Sequence, residues 1–81
     1  MVTTWTPSFE WFSCGWEKSQ AWPTGDPDEA QLIATKFGGW SVWRNRKRIA
    51  VGAVMGISGA DNSPEAKRAA ERKWRELVGD D

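Results

Sequence analysis

The strongest chemical character in the chain belongs to Trp43, Arg44, Arg46, Lys47 and Arg48. Guanidinium and ammonium groups interleaved with an indole can grip a polyanion, the cations meeting phosphates and the ring offering a stacking face. The same group suits a carboxylate-bearing surface on a protein. A plainer use also exists. A hairpin tip needs polar residues, and charge there discourages edge-to-edge strand pairing. Other chemistries lack their residues. With no histidine in the sequence, Ser-His-Asp and Cys-His arrangements are absent, as is the usual nitrogen ligand of zinc. Cys14 stands alone, which excludes an intrachain disulfide and a cysteine-only zinc site. Lys18 is the one cation near it in sequence, so Cys14 reads as a small buried or half-buried thiol.

Asp26, Asp28 and Glu29 lack the spacing of a calcium loop, and turn and cap roles explain them. Gly38-Gly39 lacks the further glycines and the lysine of a phosphate-binding loop. Gly52 and Gly56 have the spacing of a membrane dimer motif with no long apolar segment around it. The residues therefore offer no catalytic group, no metal site and no cofactor site, and they read as a non-enzyme without a small-molecule substrate.

The elements that must position the basic cluster belong to one domain, because 81 residues cannot hold a second independent core. Seven tryptophans are the compositional outlier. In so small a domain, most of them read as core, since each supplies a large buried area. Formal net charge is zero, yet residues 1–35 carry one lysine against five carboxylates, and residues 36–81 carry ten Lys/Arg against six. That dipole along the chain is either satisfied internally or steers a partner. No apolar run approaches a membrane span, and the N-terminus lacks the regions of a signal peptide. The reading is a soluble protein of a reducing compartment, the cytoplasm, with no membrane partner.

Three segments follow in order. Residues 1–25 are aromatic-rich, with Phe9 and Trp11 on one parity and Phe12, Cys14 and Trp16 on the other. The switch predicts a bend or bulge near Phe12 with one or two short strands, and the shared parity of Trp16, Lys18, Gln20 and Trp22 suggests a strand from about Trp16 to Trp22. Residues 31–57 read as a β-meander. Asp26 and Pro27 could start a helix that Gly38 ends. The favoured alternative is a strand over Gln31–Phe37 turning at Gly38-Gly39, which pairs Phe37 with Trp40 and Thr35 with Val42. A second hairpin, with its tip at Arg46-Lys47, pairs Val42 with Val51 and Trp40 with Ala53. Together these registers put Ile33, Phe37, Trp40, Val42, Ile49, Val51, Ala53 and Met55 on the core face. Leu32, Ala34, Trp43, Ala50 and Val54 fall on the opposite face. Two readings stand for that face: residues 1–25 cover it as a second layer, or it is an exposed recognition surface. After a turn at 59–62, residues 64–78 form the C-terminal helix. Ser63 is its N-cap, Pro64 opens it, Gly79 stops it, and Ala66, Ala69, Ala70, Trp74, Leu77 and Val78 make its apolar stripe.

Trp40-Ser41-Val42-Trp43, a basic tip, Ile49-Ala50-Val51-Gly52 and the run from Ser63 to Glu71 resemble a strand–turn–strand–helix pattern. The pattern occurs in small uncharacterised proteins of actinobacteria and their phages. The resemblance implies a phage-type accessory protein that binds a host protein in the host bacterial cytoplasm. The chain departs from the pattern between Gly52 and Ser63, where its link is longer. The same unit looks distantly like the three-stranded DNA-binding modules of tyrosine integrases. Its helix start resembles that of double-stranded-RNA-binding domains, whose first helix is not evident here.

The sequence thus predicts an α+β domain over residues 1–81: an antiparallel three- to four-stranded β-meander packed on one face by a C-terminal α-helix. Its expected role is binding a protein partner or a second copy of itself. The alternative is nucleic-acid binding through Trp43 and Arg44, Arg46, Lys47 and Arg48.

Overall fold

Along Ala30–Thr35, burial alternates. Ala30, Leu32 and Ala34 are buried, whereas Gln31, Ile33 and Thr35 are half-buried on the other side. A period of two is the mark of a strand with one face in a core. The computed structural model describes residues 9–15, 17–56 and 61–79, and places this strand at the centre of a five-stranded antiparallel sheet. In chain order the strands are β1 (Trp11–Gly15), β2 (Lys18–Ala21), β3 (Ala30–Thr35), β4 (Gly39–Arg44) and β5 (Lys47–Ala53). Each pairs with the next, and the helix α1 (Ser63–Val78) packs on one face over β3 and β4. The fold is the expected sheet backed by a C-terminal helix, with five strands.

The additional strands come from the aromatic N-terminal stretch. Residues 11–21 do not lie across the far face as a second layer. They extend the sheet sideways, with Trp11 opposite Ala21 and Ala21 opposite Leu32. The bulge falls at Cys14, between Ser13 and Gly15, rather than at Phe12. Cys14 is exposed there, not buried. The expected strand start at Trp16 lies outside the described residues. Strand also prevails over helix after Asp26. The amides of Glu29 and Ala30 donate to the Asp26 carbonyl, each at 3.1 Å, and the Asp28 amide donates to its side chain at 2.9 Å. Asp26 thus closes a single turn, and β3 begins at once.

Both hairpins differ in register from the sequence expectation. The β3–β4 connection is a three-residue loop, Lys36-Phe37-Gly38. The Gly38 amide donates to the Thr35 carbonyl at 3.1 Å, and Gly38 takes a left-handed φ of 96°. The Gly39 amide donates to Thr35 Oγ1 at 3.1 Å, completing the turn. The loop of three, ending in a left-handed glycine, is a standard hairpin solution. It pairs Ala34 with Trp40 and Leu32 with Val42. At the β4–β5 end, the turn is Asn45-Arg46, both left-handed with φ of 51° and 65°. Two positive φ values match the right-handed twist of the flanking strands. Ile49 is then the extra residue of a bulge, since Trp43 faces Arg48 while Val42 faces Ala50.

These registers exchange the expected partners of Trp40 and Val42. The buried set is Ala21, Ala30, Leu32, Ala34 and Val42 from the sheet with Ala66, Ala70 and Trp74 from α1. Phe9, Trp11, Trp40 and Ala50 pack partly buried against it. Of the residues expected on the core face, Phe37, Ile49, Val51 and Met55 are exposed. Alanines at the sheet–helix contact let the two layers approach closely, and indole rings fill the flanks. The cross-strand partner of Trp40 is Gly52, and a Cβ there would run into the Trp40 ring. Glycine at position 52 therefore makes room for the indole over an edge strand.

The helix ends at Val78 as expected and begins one residue early, at Ser63, which moves its N-cap from Ser63 to Asn62. Asn62 occupies the cap position, and the Ser63 amide and hydroxyl donate to the Asp61 carboxylate at 3.0 and 2.7 Å. Pro64 lies in the first turn, and the left-handed Gly79 donates its amide to the carbonyls of Arg75 and Glu76. Leu77 and Val78, expected in the apolar stripe, are exposed. Glu71 is buried at 2% exposure, and Trp11 Nε1 donates to its Oε2 at 2.8 Å. That bond ties the outermost strand to the helix. The link from β5 to α1 is fastened beside the β3–β4 turn: the Val54 amide donates to the Gly38 carbonyl at 2.9 Å and the Asn62 amide to the Lys36 carbonyl at 2.8 Å. The Gly59-Ala60 part of the expected turn lies outside the described residues.

Candidate partner-binding face

Packing α1 on one side leaves the other side of the sheet facing away from the core. Pairing and alternation place Phe12, Lys18, Gln20, Gln31, Ile33, Thr35, Ser41, Trp43, Arg48 and Val51 there. Leu32, Ala34 and Ala50, expected on this face, lie instead against the helix. The centre of the face is a shallow groove of about 310 Å³ whose lining includes Lys18, Ile33, Thr35, Trp43, Arg48 and Val51. Among the described residues, no second layer packs over it.

Trp43 is half-buried in this groove, and its Nε1 donates to Ser41 Oγ at 2.9 Å. The bond joins two residues of one strand on one face. It holds the ring against the sheet and uses its polar handle internally, so what Trp43 offers a ligand is apolar ring surface. Val51 stands 63% exposed nearby. Gln31 Nε2 donates to Gln20 Oε1 at 2.7 Å, forming a polar bridge across β2 and β3 toward the Phe12 side. There the rings of Phe12 and Trp22 meet at 5.3 Å, tilted by 31°.

The basic cluster is not a single site. Arg44 turns to the helix side, where its guanidinium lies 5.7 Å from the centre of the Trp74 ring, a cation–π contact at the margin of the core. Arg46 sits in the turn and donates from Nη2 to Asp28 Oδ2 at 2.8 Å. That hydrogen bond, with the charge of Arg46 behind it, holds the Asp28 carboxyl below the usual carboxylate range and raises Arg46 in turn. Lys47 is exposed and paired with Arg44, on the helix side of the sheet. Trp43 and Arg48 alone of the five share the groove. The structure adds Lys18, Ile33 and Val51 to them, residues that sequence reasoning had left in the N-terminal segment or assigned to the core. For Ile33 the available signal is Gly38, which can close a three-residue loop in the left-handed conformation as well as open a two-residue turn. The bulge at Ile49 that places Val51 and the strand pairing that places Lys18 carry no comparable local signal.

Asp26, Asp28 and Glu29 act as turn and ion-pair residues, and among the described residues no group of three or more His, Cys, Asp or Glu side chains converges. Nor, among those residues, is any helix long and apolar enough to cross a membrane. Comparison of the chain with protein-family models, curated proteins and solved structures gives no match.

Proposed function

We propose that this protein is a non-enzymatic binding module whose recognition surface is the helix-free face of the sheet, and that its partner is a protein. One observation carries the reading: Trp43, Ile33 and Val51 form an apolar centre in a groove that no other described element covers. An apolar centre with a polar rim is the usual composition of a protein-recognition patch, and tryptophan is the residue type most often dominant in one. The nucleic-acid alternative has less support, because Arg44 is engaged with Trp74 and Arg46 with Asp28, on other parts of the surface. The resemblance to phage-type accessory proteins makes a host protein in the bacterial cytoplasm the first partner to test.

Trp43→Ala separates recognition from folding. The half-buried ring contributes cross-strand packing worth on the order of 1 kcal/mol, so the variant is expected to stay folded at 25 °C while losing the captured partner. If the variant unfolds outright, Trp43 is a core residue and this face is not free for recognition. If it captures the same proteins as wild type, the binding surface lies elsewhere.

A further inference from the structure

Resting on that reading, the sheet itself specifies the chemistry of the partner. Among the described residues no strand contains an aspartate or glutamate, whereas Lys18, Arg44, Lys47 and Arg48 all lie in strands. The carboxylates of the described chain sit in turns, in the flanks of the strands and on α1. On the helix-free face, Lys18 and Arg48 lie at opposite corners of the groove, with Ile33, Trp43 and Val51 between them. Lys18 is on β2 beside Thr35, and Arg48 is on β5 beside Trp43. Three strand spacings across and four residues along put their Cα atoms roughly 20 Å apart.

We infer that the groove takes an extended acidic segment of a partner protein, lying diagonally across β2 to β5. A carboxylate near each end would meet Lys18 and Arg48, and aliphatic or aromatic side chains between would pack on Trp43. Extended chain covers that diagonal in about six residues. Charge selects against other occupants. A second copy of this face would bring Lys18 and Arg48 against like charges, which disfavours self-docking. A nucleic-acid strand of the same length would carry several phosphates against two cations and one stacking ring, leaving most of its charge uncompensated. Both edges of the sheet carry a bulge, at Cys14 and at Ile49, which discourages strand addition there and favours the face over the edge.

The test is selection of a random dodecapeptide display library on the full chain, in parallel on the double variant Lys18→Glu, Arg48→Glu. Both substituted positions are exposed, and a thermal melt confirms that the variant is folded. Enriched peptides are expected to carry acidic residues on both sides of an apolar core. A synthetic winner should bind the double variant about tenfold more weakly or worse, and weaken with salt. Peptides that need Trp43 but show no acidic bias, or that bind the double variant equally well, overturn this inference and leave the recognition face standing. Peptides indifferent to Trp43→Ala overturn both. Tighter binding of oligo(dT) than of any selected peptide, lost in the double variant, gives the groove to single-stranded nucleic acid instead. Self-association abolished by the double variant gives it to a second copy.

Discussion

At the tip of the β4–β5 hairpin, a charged residue occupies backbone territory that suits glycine. Arg46 has φ of 65° directly after Asn45 at 51°. A left-handed conformation costs a residue with a Cβ about 1–2 kcal/mol. The pair with Asp28 is exposed on both sides and screened by solvent, so it offsets little of that cost. Arg46→Gly is therefore expected to raise the midpoint of thermal unfolding by a few degrees. It should also return the Asp28 carboxyl to its ordinary titration range, which carboxylate-detected NMR would read. An unchanged or lower midpoint would show the ion pair to be worth more than the strain. Asp61 adds a second lowered carboxyl, held down by hydrogen bonds from the Ser63 hydroxyl and amide. Both groups have folded pKa values below their unfolded ones. Their contribution is fully present above about pH 4 and is lost as pH falls through the lowered folded values. Thermal midpoints measured down the acid limb should fall less steeply for Asp28→Asn and Asp61→Asn than for the parent, and equal slopes would contradict the assignment.

At the scale of elements, the sheet–helix contact depends on Trp74. It is 9% exposed, lies beside Val42, Leu32 and Ala70 in the core, and carries Arg44 over its ring. Trp74→Ala should cost about 3–5 kcal/mol, several times the loss from Trp43→Ala, and a chemical-denaturation midpoint near wild type would rule out this packing. The helix was legible in the sequence because its signals are local: Pro64 in the first turn, alanines at helical spacing, Gly79 at the stop. The sheet was legible as a meander, since alternation and turn residues mark strands. Its faces were not. Placing the first turn at Gly38-Gly39 rather than over Lys36-Phe37-Gly38 shifts the β3–β4 pairing by an odd number, which turns β3 over. Moving the second tip from Arg46-Lys47 to Asn45-Arg46 preserves parity, and it is the bulge at Ile49 that turns β5 over. Trp40 and Val42 stayed on the core side, and their neighbours changed from Ile33 and Val51 to Leu32, Ala34, Ala50 and Gly52. No composition rule distinguishes these sets, because both are apolar. Trp43, unlike Leu32, Ala34 and Ala50, kept its expected place on the helix-free face, and so the recognition site was found at its centre and missed at its margins.

For the whole molecule, charge follows architecture. The early acidic residues and the later basic ones, opposite along the sequence, meet at turns such as Asp28–Arg46 and Glu17–Lys36, where ion pairs form at 2.8 and 3.6 Å. The strands are left with cations alone, so a chain of zero formal net charge presents a groove flanked by Lys18 and Arg48. Burial of Trp11, Trp40 and Trp74 around α1 accounts for three of the aromatic residues. Trp43 remains on the opposite face with Ile33 and Val51, held by Ser41 and without a described layer above it. The central claim is that this face meets a partner protein. Site-specific photo-crosslinking in the cells that naturally make the protein tests it most directly, with p-benzoylphenylalanine in place of Val51 on the open face or of Arg72 on the exposed side of α1. The predicted result is a discrete protein adduct from position 51 that disappears with Trp43→Ala and does not form from position 72. Equal adducts from both positions, or none from position 51, would contradict it.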